Sequence, residues 1–467
     1  MEEEKRLRIL LWLVAIAFFM QTLDATIVNT ALPAMAEALH ESPLKMHSVV
    51  ISYALAMATL IPASGWIADR FGTRRAFMSA IVLFSLGSLL CALSYNLSML
   101  VASRVLQGVG GAMLLPVGRL AVLRAFPRER FLAAMAFVTI PGLIGPLIGP
   151  TLGGWLVEYA SWHWIFLINL PVGLVGCIMT HRYMIDAKQD KVGSFDLVGY
   201  LLLAFSMIGI SMAVDGLSDL GLRHATVMVL LMFGFASLAA YWLRAARRPD
   251  ALFPLRLFQI NSFSVGILGN LFARIGSGAM PFLIPLLLQV CLGYAPAQAG
   301  VMLIPVAAAA ILSKRIGPSL IRRVGYRRVL LVNTLLVGAT ITSFGLIGVA
   351  TPTWLLILQL ACFGAVNSLQ FTAMNTITLF DLEGPNASSG NSLLSMIMML
   401  SMSLGVAVAG GLLAAFDNGS QGASALTAFH STFVTVGLIT CASAWIFWQL
   451  APDAGRAEKK QEAVAAD

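Results

Sequence analysis

The feature that most constrains this chain is a series of long apolar stretches with almost no polar sequence between them. Each has about 18 residues or more, enough to cross ~30 Å of hydrocarbon as an α-helix. Hydrophobic residues make up 58% of the 467 residues and charged residues 11%, against ~25% charged in a soluble domain. The sequence therefore predicts an all-α integral membrane protein. The fourteen predicted segments lie near residues 8–32, 47–67, 76–95, 97–118, 132–157, 163–183, 197–215, 224–243, 262–290, 297–316, 328–349, 353–378, 386–416 and 428–450.

The loops between these segments are too short to hold a soluble catalytic domain. The first segment is longer than a signal-peptide core and lacks a small-residue cleavage site, so we expect it to be retained. The five cysteines lie singly in apolar segments and the six histidines show no ligand spacing, which predicts neither a metal site nor a redox pair. No cluster of His, Ser or carboxylates has catalytic spacing. We expect no enzyme activity and no cofactor.

The net charge of +8 is distributed unevenly along the chain. All but four of the 30 lysines and arginines lie in loops or segment ends on one side of the fourteen-segment topology. The exceptions are Lys45 and Arg223 on the other side, and Arg104 and Arg274 within segments. Loops rich in Lys and Arg stay in the cytoplasm. The basic residues therefore predict cytoplasmic termini, and they do not indicate a nucleic-acid partner.

A single carboxylate, Asp24, lies inside the first apolar segment with no basic residue nearby in sequence. A charge at bilayer depth costs at least ~2.5 kcal/mol on insertion scales and usually marks a pathway for ions, protons or substrate. Asp24 is therefore the first candidate for function. The alternative is a structural carboxylate that only bonds to a neighbouring helix.

An internal repeat relates the two halves of the chain. The turn after the second segment contains Gly65, Asp69, Arg70, Gly72, Arg74 and Arg75. Four of these residues recur 253 positions later, as Arg323, Gly325, Arg327 and Arg328, whereas Arg322 takes the place of Asp69. Repeated halves are typical of transporters in which one helix bundle rocks against another. A chance likeness between two short basic turns is the alternative.

The fourth segment carries a second buried charge, Arg104, followed by Gln107 and Gly108. In the predicted topology Arg104 lies about seven residues from the outer end of its segment and Asp24 about eight, roughly 10–12 Å deep at 1.5 Å per residue. The two side chains are therefore able to pair, which would make each easier to bury. Arg104 then has either a functional role or a purely structural pairing role.

The fifth segment is rich in glycine and proline. Gly145, Gly149 and Gly153 are spaced by four and lie along one helical face, which admits a neighbouring helix closely. Pro146 and Pro150 each remove a backbone hydrogen bond and should kink the helix, and Gly154 follows the run. This pattern favours a role in a conformational cycle, with a simple packing groove as the alternative.

Further polar side chains are candidates for the substrate site. Arg274 lies near the middle of the ninth segment, where an organic anion or a carboxylate chelate would match its charge better than a cationic drug does. The alternative for Arg274 is a helix anchor bonded to backbone carbonyls. Gln21 and Asn29, in the first segment, offer hydrogen bonds.

Together these residues resemble the signature motifs of a known family. The stretch Leu23 to Pro33, the Gly65 to Arg75 turn, Arg104 with Gln107-Gly108, and the Gly145 to Gly154 run look like four motifs of the major facilitator superfamily. They are most similar to its fourteen-helix drug:proton antiporter branch, and Trp162 to Gly173 resembles a helix junction of that branch. The resemblance runs from about Leu10 to Leu450.

The resemblance implies the major facilitator fold. It predicts two six-helix bundles, assigned to residues 1–183 and 262–467, and two inserted central helices within residues 184–261. Asp24 and Arg104 look like a proton-handling pair, and Asp69 looks like a carboxylate that stabilises the outward-facing state by contacts near Asn386 to Ser389. The glycine-rich run resembles a motif held characteristic of antiporters. The partners expected are a small-molecule substrate, protons and the lipid bilayer, with a monomer as the working unit.

The sequence therefore predicts a proton-coupled exporter of the multidrug type in a bacterial inner membrane, powered by the proton gradient. Protons and substrate would compete for Asp24, because small changes around a buried carboxylate load or release a proton. An exporter of an organic anion or a carboxylate–metal chelate is the alternative, and a proton-coupled importer is the less favoured one. Sodium coupling stays open, since one carboxylate serves either ion.

Overall fold

The computed structural model describes residues 2–126, 128–184, 186, 195–216, 224–248, 251–382, 385–417 and 423–452. Within them every regular element is helical and no β-strand occurs. Thirteen helices in this part of the chain are long and apolar enough to cross a membrane. A further helix, α5, has 32 residues, which also suffices. The prediction of an all-α membrane protein is confirmed.

The sixteen α-helices of the described residues follow one another with short connections. They are α1 Glu2–Ala38, α2 His47–Phe71, α3 Thr73–Ala92, α4 Leu97–Ala125, α5 Arg128–Tyr159, α6 Trp164–Leu167, α7 Asn169–Tyr183, α8 Leu197–Gly216, α9 His224–Arg247, α10 Asn261–Leu286, α11 Pro296–Met302, α12 Ile304–Val324, α13 Tyr326–Ser343, α14 Thr353–Phe380, α15 Pro385–Phe416 and α16 Ala423–Trp448. A short π-helix, Leu287–Cys291, extends α10.

Several helices run further than the sequence predicts, and two of them continue past a proline. The first segment was expected to end at Leu32 and the tenth at residue 316, each just before a proline. Instead α1 continues to Ala38 with Pro33 inside it, and α12 continues to Val324 with Pro318 inside it. Away from water, a chain that left the helix would expose several unpaired backbone groups, whereas a single proline removes only one N–H. The helix therefore passes through the proline.

Packing divides the chain into two compact units. The first unit comprises Met1–Ile208 together with Ile284–Val301, and the second comprises Gly209–Leu283 together with Met302–Asp467. The three-part division predicted from the sequence, at residues 183 and 261, stays a prediction.

In the first unit, α5 packs along α1 and α4 packs between α2 and α3. The glycine face predicted on α5 meets a row of threonines on α1. A Cβ on Gly145 would overlap Thr22, one on Gly149 would overlap Thr26, and one on Gly153 would crowd Thr30. Each threonine hydroxyl donates to a backbone carbonyl of its own helix, so no polar group is stranded. Small residues thus let α1 and α5 approach closely.

In the second unit, α12 packs on α14 and α13 on α16. A close crossing occurs where Gly338 of α13 meets Gly437 and Cys441 of α16. Buried apolar side chains from α10, α13, α14 and α16 form a core near one end of these helices; they include Val265, Leu330, Ala373, Met374 and Phe447.

The internal repeat is present in the backbone. Between α2 and α3, Gly72 has φ 93° and ψ 146°. Between α12 and α13, Gly325 has φ 90° and ψ 151°. Positive φ of this kind is strained for any residue with a Cβ, which explains why both turns use glycine. The same turn therefore occurs once in each unit, at positions 253 residues apart.

The sixth predicted segment, 163–183, is broken in the structure. The helix α6 ends at Leu167, Ile168 intervenes, and α7 starts at Asn169. The side chain of Asn169, at the start of α7, lies in the interior of the first unit, where it is 2% exposed.

Candidate functional site

The two charges that the sequence singled out form an ion pair inside the first unit. Asp24 of α1 and Arg104 of α4 are each 1% exposed. Arg104 Nη1 donates to Asp24 Oδ2 at 2.6 Å. The predicted contact between these side chains is therefore present. It removes much of the cost of burying each charge alone.

The other carboxylate oxygen of Asp24 is held by two side-chain amides. Gln107 Nε2 donates to Oδ1 at 2.8 Å, and Asn169 Nδ2 donates to the same oxygen at 3.2 Å. Both amides also donate to Ser88 Oγ, at 3.3 Å and 2.8 Å. Every hydrogen bond made to the carboxylate thus comes from an N–H group. Such a set of donors suits the ionised form of Asp24.

The guanidinium of Arg104 has its own set of partners. Its Nε donates to the backbone oxygen of Val49 at 3.3 Å, and its Nη1 also donates to Gln107 Oε1 at 2.7 Å. The ring of Tyr53 lies 4.1 Å from the guanidinium carbon, a cation–π distance. Arg104 therefore has contacts on α2 and α4 that do not depend on Asp24.

Sequence reasoning missed three members of this site: Ser88, Asn169 and Tyr53. Asn169 is the most accessible to prediction, because it is a lone amide in the apolar run Ile165 to Val172 and lies within the junction that resembles the antiporter branch. Ser88 and Tyr53 carry no such signal, since single hydroxyls are common in membrane helices.

Two predicted site residues do not join the network. Asn29 Nδ2 donates to the backbone oxygen of Ala25 on its own helix at 3.3 Å. Its Oδ1 and the Oε1 of Gln21 are buried without a hydrogen-bond partner. Both side chains therefore keep unused acceptors within the described part of the first unit, separate from the carboxylate of Asp24.

Arg274 of α10 lies in the second unit. Its Nη2 donates to Asn270 Oδ1 at 2.7 Å and to Asn375 Oδ1 at 3.2 Å, and the ring of Phe371 lies 4.6 Å from the guanidinium carbon. Its Nε is buried without a partner, and Arg274 forms no ion pair within the described residues. The partners are side-chain amides, so the expected alternative of an anchor on backbone carbonyls is not what the structure shows. The positive charge of Arg274 therefore has no carboxylate partner among the described residues.

The charged turn between α2 and α3 is held by residues that sequence reasoning did not connect to it. Asp69 pairs with Arg124 of α4. Asp186 Oδ1 accepts from the backbone N–H of Arg74 at 3.3 Å, and Asp186 Oδ2 lies 4.0 Å from Arg75 Nε. Gly72 adopts the positive φ described above, whereas Gly65 has open space around it and Arg70 is exposed.

The contact predicted between Asp69 and Asn386 to Ser389 falls mainly on side chains outside the described residues, which omit those of 383–388. That contact stays a prediction. The observed partner, Arg124, sits on the same unit as Asp69, and its place in the last turn of α4 gave no sign in sequence of this pairing.

The glycine-rich helix α5 carries the remaining predicted residues. It is continuous through Pro146 and Pro150 as well as Pro141. Gly145, Gly149 and Gly153 face α1, whereas Gly154 faces the start of α11, where a Cβ would overlap the backbone of Pro296. The run therefore has two contact faces, one for α1 and one for the segment Ile284–Val301 of the same unit.

Comparison with known proteins decides the family. The model of the Major Facilitator Superfamily matches residues 14–378 and 266–466. The chain belongs to the major facilitator superfamily. It is therefore a multi-pass membrane transporter for small molecules, and the major facilitator fold expected from the resemblance is confirmed.

Curated relatives in this superfamily match nearly the whole chain. The "Putative multidrug resistance protein MdtD" of Pectobacterium atrosepticum is 49% identical over 446 residues, covering 95% of this chain and 96% of its own. The protein of the same name from Yersinia enterocolitica is 50% identical over 455 residues, covering 96% of each chain. That from Serratia proteamaculans is 52% identical over 424 residues, covering 91% of this chain and 88% of its own.

Solved structures of POT family transporters share the fold of this chain. A POT family transporter in complex with 5-aminolevulinic acid has a TM-score of 0.69 and 17% identity, and it covers 95% of this chain and 96% of its own. An auto-inhibited POT family peptide transporter has a TM-score of 0.71 and 15% identity over the same shares. At such low identity the likeness concerns the fold alone.

Proposed function

We propose that this chain is a proton-coupled exporter of small molecules of the multidrug type, which works by alternating access. The observation that carries the proposal is the ion pair of Asp24 with Arg104, completed by Gln107 and Asn169. The names of the curated relatives, which are multidrug resistance proteins, support the export of drugs.

The network gives a physical reason for coupling. Protonation of Asp24 places a hydrogen on one carboxylate oxygen, and that oxygen then has fewer lone pairs with which to accept hydrogen bonds. Oδ1 accepts from Gln107 and Asn169 and Oδ2 accepts from Arg104, so protonation weakens or displaces at least one of these three bonds. Proton loading is therefore tied to a movement of α1 relative to α4 or α7. A proton taken up from one side and released on the other would then drive the cycle.

A charged substrate offers a second way to break the same pair. A cation that approaches Asp24 takes over the role of Arg104, and the guanidinium keeps Val49, Gln107 and the ring of Tyr53 as partners. Substrate and proton would thus stabilise different loading states of one site. This exclusion is what antiport requires.

The export of an organic anion or a carboxylate–metal chelate is the second candidate function. The observation that favours it is the environment of Arg274, which forms no ion pair within the described residues. Its Nε has no hydrogen-bond partner there, and its guanidinium lies beside Phe371. An anion bound there would supply the missing negative charge and a planar group to stack on the ring. A proton-coupled importer would share the fold and the carboxylate, and it would accumulate substrate inside cells.

The proposal also includes the setting of the protein. We infer the bacterial inner membrane with both termini in the cytoplasm, because the basic residues collect on that side. The proton gradient is the proposed energy source, a monomer the proposed working unit, and nucleic acid is not among the proposed partners.

The test uses inverted membrane vesicles that have an acidic interior and contain a pH-sensitive dye. A transported drug such as ethidium, or a transported organic carboxylate, is expected to release protons with the wild-type chain and with Glu37→Gln, an exposed acid on the same helix. Asp24→Asn is expected to release none. An unchanged elution volume in size-exclusion chromatography shows that the variant is folded.

Equal proton release by Asp24→Asn and the wild type would contradict the proposed role of Asp24. The substrate panel separates the two candidate functions. Release by carboxylates that is lost in Arg274→Gln would favour the anion exporter, and release by ethidium that survives in Arg274→Gln would favour the multidrug exporter. Substrate uptake that needs a sodium gradient and is accompanied by no proton release would replace proton coupling by sodium coupling.

A further inference from the structure

A long apolar groove lies in the first unit, on the side away from the glycine face of α5. It has a volume of about 560 Å³ and runs between the first half of α1 and α7, with α3 behind it. Nearly all of its lining is apolar, for example Leu13, Ile16, Ile81, Phe84, Val175 and Met179. None of the proposed transport residues except Asn169 belongs to this lining.

The length of the groove matches one leaflet of a bilayer. Its lining on α1 starts at Arg8 and ends at Met20. Twelve residues of α-helix rise about 18 Å at 1.5 Å per residue. Half of a hydrocarbon core of ~30 Å is about 15 Å. A single acyl chain thus has the length to fill the groove from end to end.

The groove is open along one side. Trp12 of α1 is 50% exposed and Val175 of α7 is 55% exposed, and both line it. Both residues lie in helices that are able to cross a membrane. Apolar surface at this depth meets hydrocarbon, so the open side admits a lipid chain and not water.

The two ends of the groove differ in charge. At one end lies Arg8, which is exposed and forms no ion pair within the described residues. Arg182, in the last turn of α7, follows the groove residue Met179 by one turn. At the other end lie Ser85 and the buried Asn169. The end of the groove that contains Arg8 is therefore basic, and it lies on the side of the membrane predicted to be cytoplasmic.

We propose that this groove binds one acyl chain of an anionic phospholipid of the cytoplasmic leaflet, whose headgroup phosphate is held by Arg8. The charge, the length and the position of the groove all match such a lipid. Basic side chains next to a membrane helix attract anionic headgroups. The bound chain ends against Asn169, whose amide donates to Asp24 at 3.2 Å. The lipid therefore keeps water away from one side of the Asp24 network.

Two substitutions separate the chain site from the headgroup site. A Cβ on Gly176 would lie 3.5 Å from Ile81 Cδ1, an ordinary contact, so Gly176→Leu fits and fills the groove. Its control is Cys177→Leu, which adds bulk at the next residue, outside the lining. Arg8→Gln removes the headgroup charge, and its control is Arg6→Gln, an exposed arginine that does not line the groove.

The measurement is native mass spectrometry of the purified chain in micelles of phosphatidylglycerol and phosphatidylethanolamine at equal amounts. The wild type and both controls are expected to retain one phosphatidylglycerol. Gly176→Leu is expected to lose it, and Arg8→Gln to retain it about fivefold less in preference to phosphatidylethanolamine. An unchanged elution volume shows that each variant is folded.

Two results would overturn the proposal. Equal retention of phosphatidylglycerol by Gly176→Leu and the wild type would show that the groove holds no lipid. Unchanged lipid preference in Arg8→Gln would remove the headgroup assignment. If Gly176→Leu weakened ethidium binding and left lipid retention as it was, the groove would belong to the transported substrate instead.

Discussion

At the scale of single residues, the sequence identified Asp24, Arg104 and the neutral Gln107, and it missed the other neutral members of the site. Asp24 and Arg104 stand out because a charge within an apolar segment is costly. Asn169 and Ser88 carry no charge, and their closeness to Asp24 depends on how α3 and α7 are rotated about their axes. That rotation follows from packing among several helices, which one segment does not encode.

The role of Asn169 leads to a prediction about stability. In Asn169→Ala, Asp24 Oδ1 and Ser88 Oγ each lose a donor inside the protein. We expect the variant to be less stable by about 1–3 kcal/mol, since it loses one hydrogen bond to a charged group and one to a hydroxyl, while Gln107 still donates to both acceptors. Thermal unfolding in detergent measures the loss.

Ser85→Ala is the control for this prediction. Ser85 lies close to the same site, but its hydroxyl is buried without a hydrogen-bond partner in the described residues, so its removal breaks no bond. If Asn169→Ala and Ser85→Ala unfolded at the same temperature, the contribution assigned to the Asn169 bonds would be wrong.

At the scale of helices, the sequence predicted the glycine face of α5 and did not predict the helix that packs against it. The spacing of Gly145, Gly149 and Gly153 predicted a face that admits a neighbouring helix, and the structure shows that face against α1. The threonines on α1 have the same spacing of four. Their pairing with the glycines was not predicted, because spacing alone does not tell which of the other helices is the neighbour.

The contact between the glycine face and α1 leads to a prediction about stability, in which a second substitution partly restores what the first one loses. In Gly149→Ala the new Cβ overlaps Thr26 Oγ1. We expect a loss of about 1–3 kcal/mol from overpacking. The double variant with Thr26→Ala is expected to regain part of it. Thermal unfolding of both single variants and of the double variant measures the interaction free energy between the two residues.

Ile148→Val, at an exposed neighbouring position of α5, serves as the control and should leave stability unchanged. Strictly additive effects of Gly149→Ala and Thr26→Ala would mean that the two residues do not touch.

A second contact of α5 involves its carboxyl end. Glu158 Oε2 accepts from the backbone N–H of Ala297 at 2.9 Å, and Thr151 Oγ1 donates to the backbone oxygen of Gly300 at 3.1 Å. Gln289 Nε2 donates to the backbone oxygen of Thr30 at 3.0 Å. These bonds attach the segment Ile284–Val301 to the rest of the first unit, while the preceding part of α10 belongs to the second unit.

We expect Glu158→Gln to loosen this segment, because a neutral amide oxygen is a weaker acceptor than a carboxylate. In a chain that keeps Cys291 as its single cysteine, labelling by a maleimide from the predicted external side should become about fivefold faster, as the loss of part of a charge-assisted bond implies. Glu41→Gln, which lies on the same predicted side, is the control. Equal labelling of both variants would contradict the expectation.

At the scale of the whole molecule, the lengths of the apolar segments and the repeated turn were sufficient to predict the fold class. The sequence predicted a helical membrane protein with duplicated halves, and the turns at Gly72 and Gly325 agree within a few degrees of φ and ψ. The extension of α1 and α12 past prolines and the break at Ile168 were not predicted. Hydropathy measures how strongly a segment prefers hydrocarbon to water. It does not report which backbone groups lack a hydrogen bond, so it predicts neither the helix ends nor an interruption within a helix.

The duplicated turn leads to a prediction that concerns both halves. Gly72→Ala and Gly325→Ala each force a Cβ into a backbone region that is almost restricted to glycine, at a cost of about 1–3 kcal/mol. We expect both variants to unfold earlier, Gly72→Ala by the larger amount, because its Cβ would also overlap the carboxylate of Asp186. Gly348→Ala is the control, since that glycine has open space and no positive φ. An effect at Gly72 alone would show that the two turns are not equivalent.

The matching rows on α1 and α5 have a further consequence. Thr22, Thr26 and Thr30 are spaced by four residues, as are Gly145, Gly149 and Gly153, and the rows run in the same direction. A slide of one helix along the other by four residues, about 6 Å, would place two of the three threonines opposite a glycine again. A shifted register of this kind would therefore keep two of the three close glycine–threonine contacts between α1 and α5.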